Sequence, residues 1–172
     1  MIRYLALTVP LALGSAAQAE VAKSDASGFV STHSVVIAAA PDKVWDAIVQ
    51  PQLWWSKDHS YSGKAENLSL DPRPGGCWCE KLPGGGVEHG RVIYADRGKA
   101  LRIDGALGPL QSGDVTGRLT FALKAEGQGT VLTLTYVVGG FHPAGLQALA
   151  TPVDGVLAAQ LPALKRVAET GK

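Results

Sequence analysis

The chain has 172 residues, enough for one domain with a real core and too few for two ordinary ones. Charged residues make up 18%, the formal net charge is +1 and no Lys/Arg cluster occurs, so the footprint of a nucleic-acid binder is missing. With 21 glycines and 46% hydrophobic residues, the composition is that of a turn-rich globular protein rather than a disordered one.

In chain order, Arg3 precedes a short apolar run, Leu5 to Gly14, and Ala17-Gln18-Ala19 has the form of a cleavage site. Residues 1–19 therefore read as a secretory signal peptide cut after Ala19, which makes the mature protein secreted or periplasmic. The run is shorter than the ~20 apolar residues of a membrane-spanning helix, so no stable span is expected after cleavage. Cleavage removes one charged side chain, Arg3, and leaves 15 basic against 15 acidic ones. Such a surface offers no long-range electrostatic steering.

Residues 20–29 are polar and small and read as a flexible leader, and a single domain is expected over 30–170. Residues 30–38 (VSTHSVVIA) are β-rich and form the first expected strand. Pro41 suits the first turn of a helix, where its missing N–H has no partner to lose. Val44, Trp45 and Ile48 share one face of that helix, and Pro51 ends it. Gln52 to Trp55 form a second short helical piece. Six further strands follow, separated by Gly- and Pro-rich turns: Ala65–Leu70, Cys77–Leu82, Val87–Ala95, Ala100–Ala106, Val115–Ala125 and Val131–Val138. In the last two, Leu119, Phe121 and Leu123 share one face, then Leu132, Leu134, Tyr136 and Val138 share one face with Thr133 and Thr135 opposite. That pattern fits an antiparallel sheet with one buried face. Finally, Val153, Val156, Leu157, Leu161, Leu164 and Val167 recur at helical spacing over Pro152 to Glu169. Pro162 inside this helix predicts a kink, and Gly171 a stop.

The only two cysteines, Cys77 and Cys79, lie two apart on an expected strand. Ideal strand geometry sets their Cα atoms ~6.5–7 Å apart, at the edge of disulfide reach. Two reduced, buried thiols are the favoured expectation and a C-x-C disulfide the second. Export to an oxidising compartment leaves both open. No Cys/His/Asp/Glu spacing supplies a metal site, and Gly84-Gly85-Gly86 lacks the Lys of a phosphate loop. No metal or cofactor is expected.

The order of elements and several local motifs resemble a known superfamily. Ala40-Pro41-x-x-Val44-Trp45-x-Ala47, then Pro51, then Trp54-Trp55, is similar to the opening of SRPBCC (START-like, helix-grip) domains. Pro74-Gly75-Gly76 before an aromatic strand, and Gly90-Arg91-Val92, resemble the branch of Hsp-ninety-ATPase-activator-like and polyketide-cyclase-like proteins. The resemblance implies an α+β fold: a curved seven-stranded antiparallel sheet gripping a long C-terminal helix, with two short helices after the first strand. It often implies a cavity between them, and it does not fix one activity. A cytosolic chaperone partner does not fit an exported chain.

Candidate site residues follow from this frame. Trp54 and Trp55, adjacent on a short helix, cannot both face inward, so one lies at a rim or pocket mouth. Trp78, Phe121, Tyr136, Phe141, Leu157, Gln160 and Leu161 complete the expected lining, with the Gln160 amide either orienting a ligand's polar end or lying in water at the edge of the apolar stripe. No catalytic motif is assembled, and there is no G-x-S-x-G elbow. Simple hairpin pairing sets His89 opposite Glu80, a pair able to hold a general base, though such pairs are more often solvated surface features. Tyr136 is a third weak acid/base candidate. The expected function is an exported carrier for a small apolar or amphipathic, lipid-like molecule. The alternatives are a cyclase/dehydratase-type enzyme using pocket His, Glu or Tyr, and a protein-interaction module.

Overall fold

The computed structural model describes residues 19–172. Apart from Ala19, the segment read as a signal peptide lies outside the described residues. Eight strands form one antiparallel sheet: β1 (Ala19–Asp25), β2 (Gly28–Ile37), β3 (Leu68–Leu70), β4 (Cys77–Leu82), β5 (Gly85–Asp96), β6 (Ala100–Asp104), β7 (Asp114–Glu126) and β8 (Gly129–Phe141). Their spatial order is β1-β2-β8-β7-β6-β5-β4-β3. Two helices complete the fold, α1 (Pro41–Ile48) and α2 (Gln147–Thr170), together with short 3₁₀ turns that include Pro51–Leu53 and Lys57–His59.

The seven expected strands are all present, and the sheet has an eighth. Residues 20–29, read as a flexible leader, instead supply β1 and its turn into β2. An edge strand needs backbone partners more than an apolar face, so AEVAKSD pairs with β2 despite its polar composition. The turn is an Asx turn: the Asp25 carboxylate accepts from the backbone N–H of Ser27 at 2.8 Å and of Gly28 at 3.1 Å.

Helix α1 begins at Pro41, with Asp42 in the first turn where the helix dipole favours a negative charge, and buries Val44, Trp45 and Ile48. Helix α2 starts five residues before the expected Pro152, because Leu146, Leu149 and Ala150 bring apolar surface to its first turn. It continues through both Pro152 and Pro162, whose missing N–H groups leave the carbonyls of Ala148 and Ala158 without their helical donors. At the other end Gly171 adopts φ 76°, and its N–H caps the Val167 carbonyl at 2.8 Å.

One face of the sheet and the two helices enclose the core. Leu101, Ile103, Leu119, Phe121, Leu132 and Leu134 point inward from the central strands, and Leu157, Leu161, Leu164 and Val167 meet them from α2. Residues two apart on a strand share a face, and i, i+3 and i+4 share a helix stripe, so the two patterns interlock, with Ser31, His33 and Gln160 as the buried polar residues between them. Fully burying each such side chain contributes roughly 1.5–3 kcal/mol.

Tyr136, on β8, is wholly buried yet keeps its hydroxyl occupied. The hydroxyl donates to the Gly105 carbonyl and accepts from the Leu107 N–H, both at 2.9 Å. Gly117 makes room for it, since a Cβ there would fall 2.3 Å from the Tyr136 oxygen. Tyr136 thus fixes the stretch after β6 from behind.

Candidate functional site

A cavity of about 410 Å³ opens where the β3–β5 end of the sheet parts from the first half of α2. Trp55, Trp78 and Leu68 form its inner wall, and Val153, Val156 and Leu157 face them from α2. Two loops frame the mouth, residues 58–61 on one side and 107–109 on the other. The Tyr61 hydroxyl donates to the Gly108 carbonyl at 2.9 Å and ties these loops together.

The adjacent tryptophans are both buried, contrary to the expectation that only one could face inward, and they differ in what they line. Trp54 is core: its Nε1 donates to the Ala47 carbonyl at 2.9 Å, and its ring sits edge-on to Phe121 at 6.3 Å. Trp55 turns to the cavity, anchored by its Nε1 on the His59 carbonyl at 2.9 Å. Trp55 and Trp78 meet edge to face, with centroids 4.9 Å apart, an arrangement that favours aromatic pairs. Among the described residues, Trp78 Nε1 is the buried side-chain polar atom that has no hydrogen-bond partner. An unpaired buried N–H costs about 1–3 kcal/mol, so it calls for an explanation.

The Glu80–His89 pair is not a solvated surface feature: both residues are buried, and His89 lines the cavity. Nor is it a simple cross-strand pair. Glu80 pairs with Val87, and the β4–β5 register slips between Trp78 and Cys79, leaving His89 as the extra residue of a bulge. A bulge re-aims a side chain, and here His89 and Gly90 both turn inward. His89 Nε2 lies 2.9 Å from Glu80 Oε2. The carboxylate also accepts from the backbone N–H of Tyr61 at 3.0 Å and of Ser62 at 2.5 Å. Burial pushes the Glu80 carboxyl up, but the hydrogen bonds from Ser62, Tyr61 and His89 outweigh it and hold the group below the usual carboxylate range. Glu80 is therefore an ionised, fully engaged carboxylate that orients His89 by Nε2.

The C-x-C pair is a disulfide, contrary to the favoured expectation of two thiols. The same register slip explains it: β4 departs from ideal extension between Trp78 and Cys79, and the Cα atoms of Cys77 and Cys79 approach to 5.4 Å. Alternation puts the cysteines on the face opposite Trp78 and Glu80.

Of the expected lining, Trp55, Trp78 and Leu157 stand at the cavity. Trp54, Phe121 and Leu161 are packed in the core. Phe141 is 69% exposed at the end of β8. Gln160 is buried with both ends of its amide spent: Oε1 accepts from the Ser56 N–H and Nε2 donates to the Val156 carbonyl, each at 2.8 Å. Burial pushes the Tyr136 phenol well up, beyond use as an acid or base near neutral pH. Tyr61, Leu68, Leu107, Val153 and Val156 were not singled out from the sequence.

A second buried cluster lies between β2 and α2. Ser31 Oγ donates to Asp154 Oδ1 at 2.5 Å, and His33 Nε2 lies 3.0 Å from the same oxygen and 3.1 Å from Ser31 Oγ. Both contacts fall on one ring nitrogen, so His33 cannot relay a proton from the serine to the aspartate as a catalytic triad does. It is a tether between sheet and helix.

Residues 29–169 match the family described as polyketide cyclase / dehydrase and lipid transport. The chain belongs to this family. The polyketide cyclase / dehydrase family lies within the helix-grip superfamily that the motifs resemble, and solved structures agree on the fold. A conserved protein of unknown function from Enterococcus faecalis superposes with a TM-score of 0.58 at 16% identity, covering 91% of this chain and 78% of that one. CalU16 from Micromonospora echinospora gives 0.55 at 19% identity, covering 81% and 73%. The Aha1 dimer from Colwellia psychrerythraea gives 0.55 at 20% identity, covering 82% and 96%. No curated protein matches the chain. At these identities the likeness shows the fold alone, and the activity has to be argued from the site.

Proposed function

We propose that this member of the polyketide cyclase / dehydrase family is an exported carrier that holds one small apolar or amphipathic molecule between the sheet and α2. The observation that carries the reading is the cavity of about 410 Å³, walled by Trp55, Trp78, Leu68 and the apolar face of α2. Its size and lining are those of a small-ligand pocket, mostly apolar with a few polar groups. Apolar ligand surface buried there contributes roughly 25 cal/mol per Å². Export rests on the Leu5–Ala19 pattern, and the Cys77–Cys79 disulfide fits an oxidising compartment. Cleavage after Ala19 leaves almost all of β1 in the mature chain.

Native mass spectrometry of protein purified without detergent, together with displacement of a fluorescent lipid, tests the reading. A co-purifying or competing apolar compound supports it. Protein that carries nothing and displaces nothing overturns it. N-terminal sequencing of the secreted or periplasmic fraction is expected to start at Glu20.

A cyclase- or dehydratase-type activity is the second reading, favoured by one observation: the Glu80–His89 pair meets inside the cavity rather than on the wet face. A histidine held by a buried carboxylate can remove a proton from a bound ligand. Turnover of a bound compound, lost in Glu80→Gln while binding persists, would raise this reading above the first.

A further inference from the structure

The Cys77–Cys79 disulfide lies on the face of β4 opposite Trp78 and Glu80, and both cysteines are partly exposed. Their cross-strand neighbours are exposed polar residues. Cys79 stands opposite Ser69 on β3 and Glu88 on β5, and Cys77 stands opposite Arg91. The bond is therefore open to a thiol from solvent. It closes a loop of only three residues, so it restricts the unfolded chain little, and its effect is on local native geometry.

That local effect falls on the cavity wall. From Cys77 to Cys79 β4 takes two steps, while β5 takes three over the same span, from Arg91 back to Glu88. The extra residue is His89. Two residues of extended strand cover ~6.5–7 Å, but these two steps, closed by the disulfide, bring the Cα atoms to 5.4 Å. Shortening β4 here widens its mismatch with the longer stretch of β5, and the excess buckles out as the bulge. The slip brings the cysteines together, and the bond, once formed, holds the slip. Trp78, between the cysteines, and His89, opposite them, both line the cavity, with ring centroids 5.8 Å apart.

We propose that Cys77–Cys79 is a dithiol-reducible clamp that sets the Trp78–His89 wall of the cavity. Its effect on ligand binding rests on the carrier reading; its effect on the bulge does not. One thiolate of an external dithiol attacks Cys79 Sγ, forming a mixed disulfide and releasing Cys77 Sγ with the electron pair of the broken bond. Arg91, opposite Cys77, favours that leaving thiolate. The second thiolate of the reagent then attacks the reagent's own sulfur in the mixed disulfide and releases Cys79. The reagent ends as a disulfide, and its two protons end on the two cysteines. β4 is then free to re-extend, and the bulge at His89 loses its clamp.

The mature protein, with and without dithiothreitol under native conditions, is alkylated with iodoacetamide and weighed by mass spectrometry. Two added groups are expected after reduction and none before, with the far-UV circular dichroism unchanged. Without ligand, amide exchange over residues 86–91 quickens on reduction. The Kd of the apolar fluorescent probe N-phenyl-1-naphthylamine rises about three- to tenfold, the size of one or two lost contacts. Reoxidation restores both readouts. The double variant Cys77→Ser, Cys79→Ser behaves as the reduced form and does not respond to dithiothreitol.

Thiols that appear only in denaturant, loss of the whole fold on reduction, or equal exchange over residues 86–91 in both forms would each overturn the clamp and leave the carrier reading intact. Faster exchange with an unchanged Kd would overturn its control of the cavity. A probe that binds neither form counts against the carrier reading, and the exchange comparison still decides the clamp. If the double variant does not fold, the reduced wild type decides.

Discussion

Among the described residues, two buried histidines each pair with a carboxylate, and the two pairs have nearly the same local geometry. His33 Nε2 lies 3.0 Å from Asp154, and His89 Nε2 lies 2.9 Å from Glu80. They differ in what surrounds them. Asp154 belongs to α2 and takes its other hydrogen bond from Ser31 on β2, so the pair joins two elements far apart in sequence and lies outside the lining of the cavity. Glu80 takes its other hydrogen bonds from the backbone of residues 61–62, and its histidine, pushed out of register by a bulge, faces open space. The same two side-chain types thus make a tether in one place and a candidate recognition group in the other. The neighbours decide, not the pair.

The contrast predicts opposite separations of stability and binding. Glu80→Ala strands the N–H groups of Tyr61 and Ser62 and unpairs His89, so it is expected to cost about 3–5 kcal/mol in urea unfolding and to weaken ligand binding at least tenfold. Asp154→Ala frees Ser31 and His33 beside a partly exposed position that water can refill, so a smaller loss of about 1–2 kcal/mol is expected. Ligand affinity should move less than about threefold. If Asp154→Ala weakens binding as much as Glu80→Ala does, the two clusters are not functionally distinct. Tyr136→Phe sharpens the point from behind the cavity. It leaves the Leu107 N–H without its acceptor and costs about 1–2 kcal/mol. The affinity loss should come chiefly from a looser 107–109 wall, visible as faster amide exchange there.

The fold was legible because its signals are periodic. Leu119, Phe121 and Leu123 against Leu132, Leu134 and Tyr136 declare two strands, and the stripe from Val153 to Val167 declares the helix they grip. β1 was not legible, because AEVAKSD has no apolar alternation and pairs through its backbone. The site was half legible. Trp78 and Glu80 are two apart on one strand, so a Trp78 that faces the interior takes Glu80 with it, and this was the signal that the pair is not on the surface. The bulge at His89 and the approach of Cys77 to Cys79 share one cause, a register slip that no pattern in the sequence announces. Gln160 was misplaced for a different reason. Helical spacing finds the buried face, but it does not show that Ser56 and Val156 already occupy the amide.

The smallest expected effect is on the acid limb of stability, and it isolates Glu80 from the other carboxylates. Its folded-state pKa lies below the usual range because hydrogen bonds outweigh burial. A depressed carboxylate binds fewer protons folded than unfolded, so its contribution is fully present above the unfolded pKa. It is lost as pH falls through the folded value. Urea midpoints measured from pH 6 down to pH 3 should therefore fall more steeply for the wild type than for Glu80→Gln, which cannot titrate there. Asp25, Asp71 and Glu169 are also held low by local donors, but they titrate in both proteins and cancel in the difference. His33 and Asp154 likewise remain in both proteins, so a difference between the two acid limbs belongs to the cavity pair alone. Parallel limbs would mean that Glu80 is not held as a carboxylate by residues 61–62 and His89.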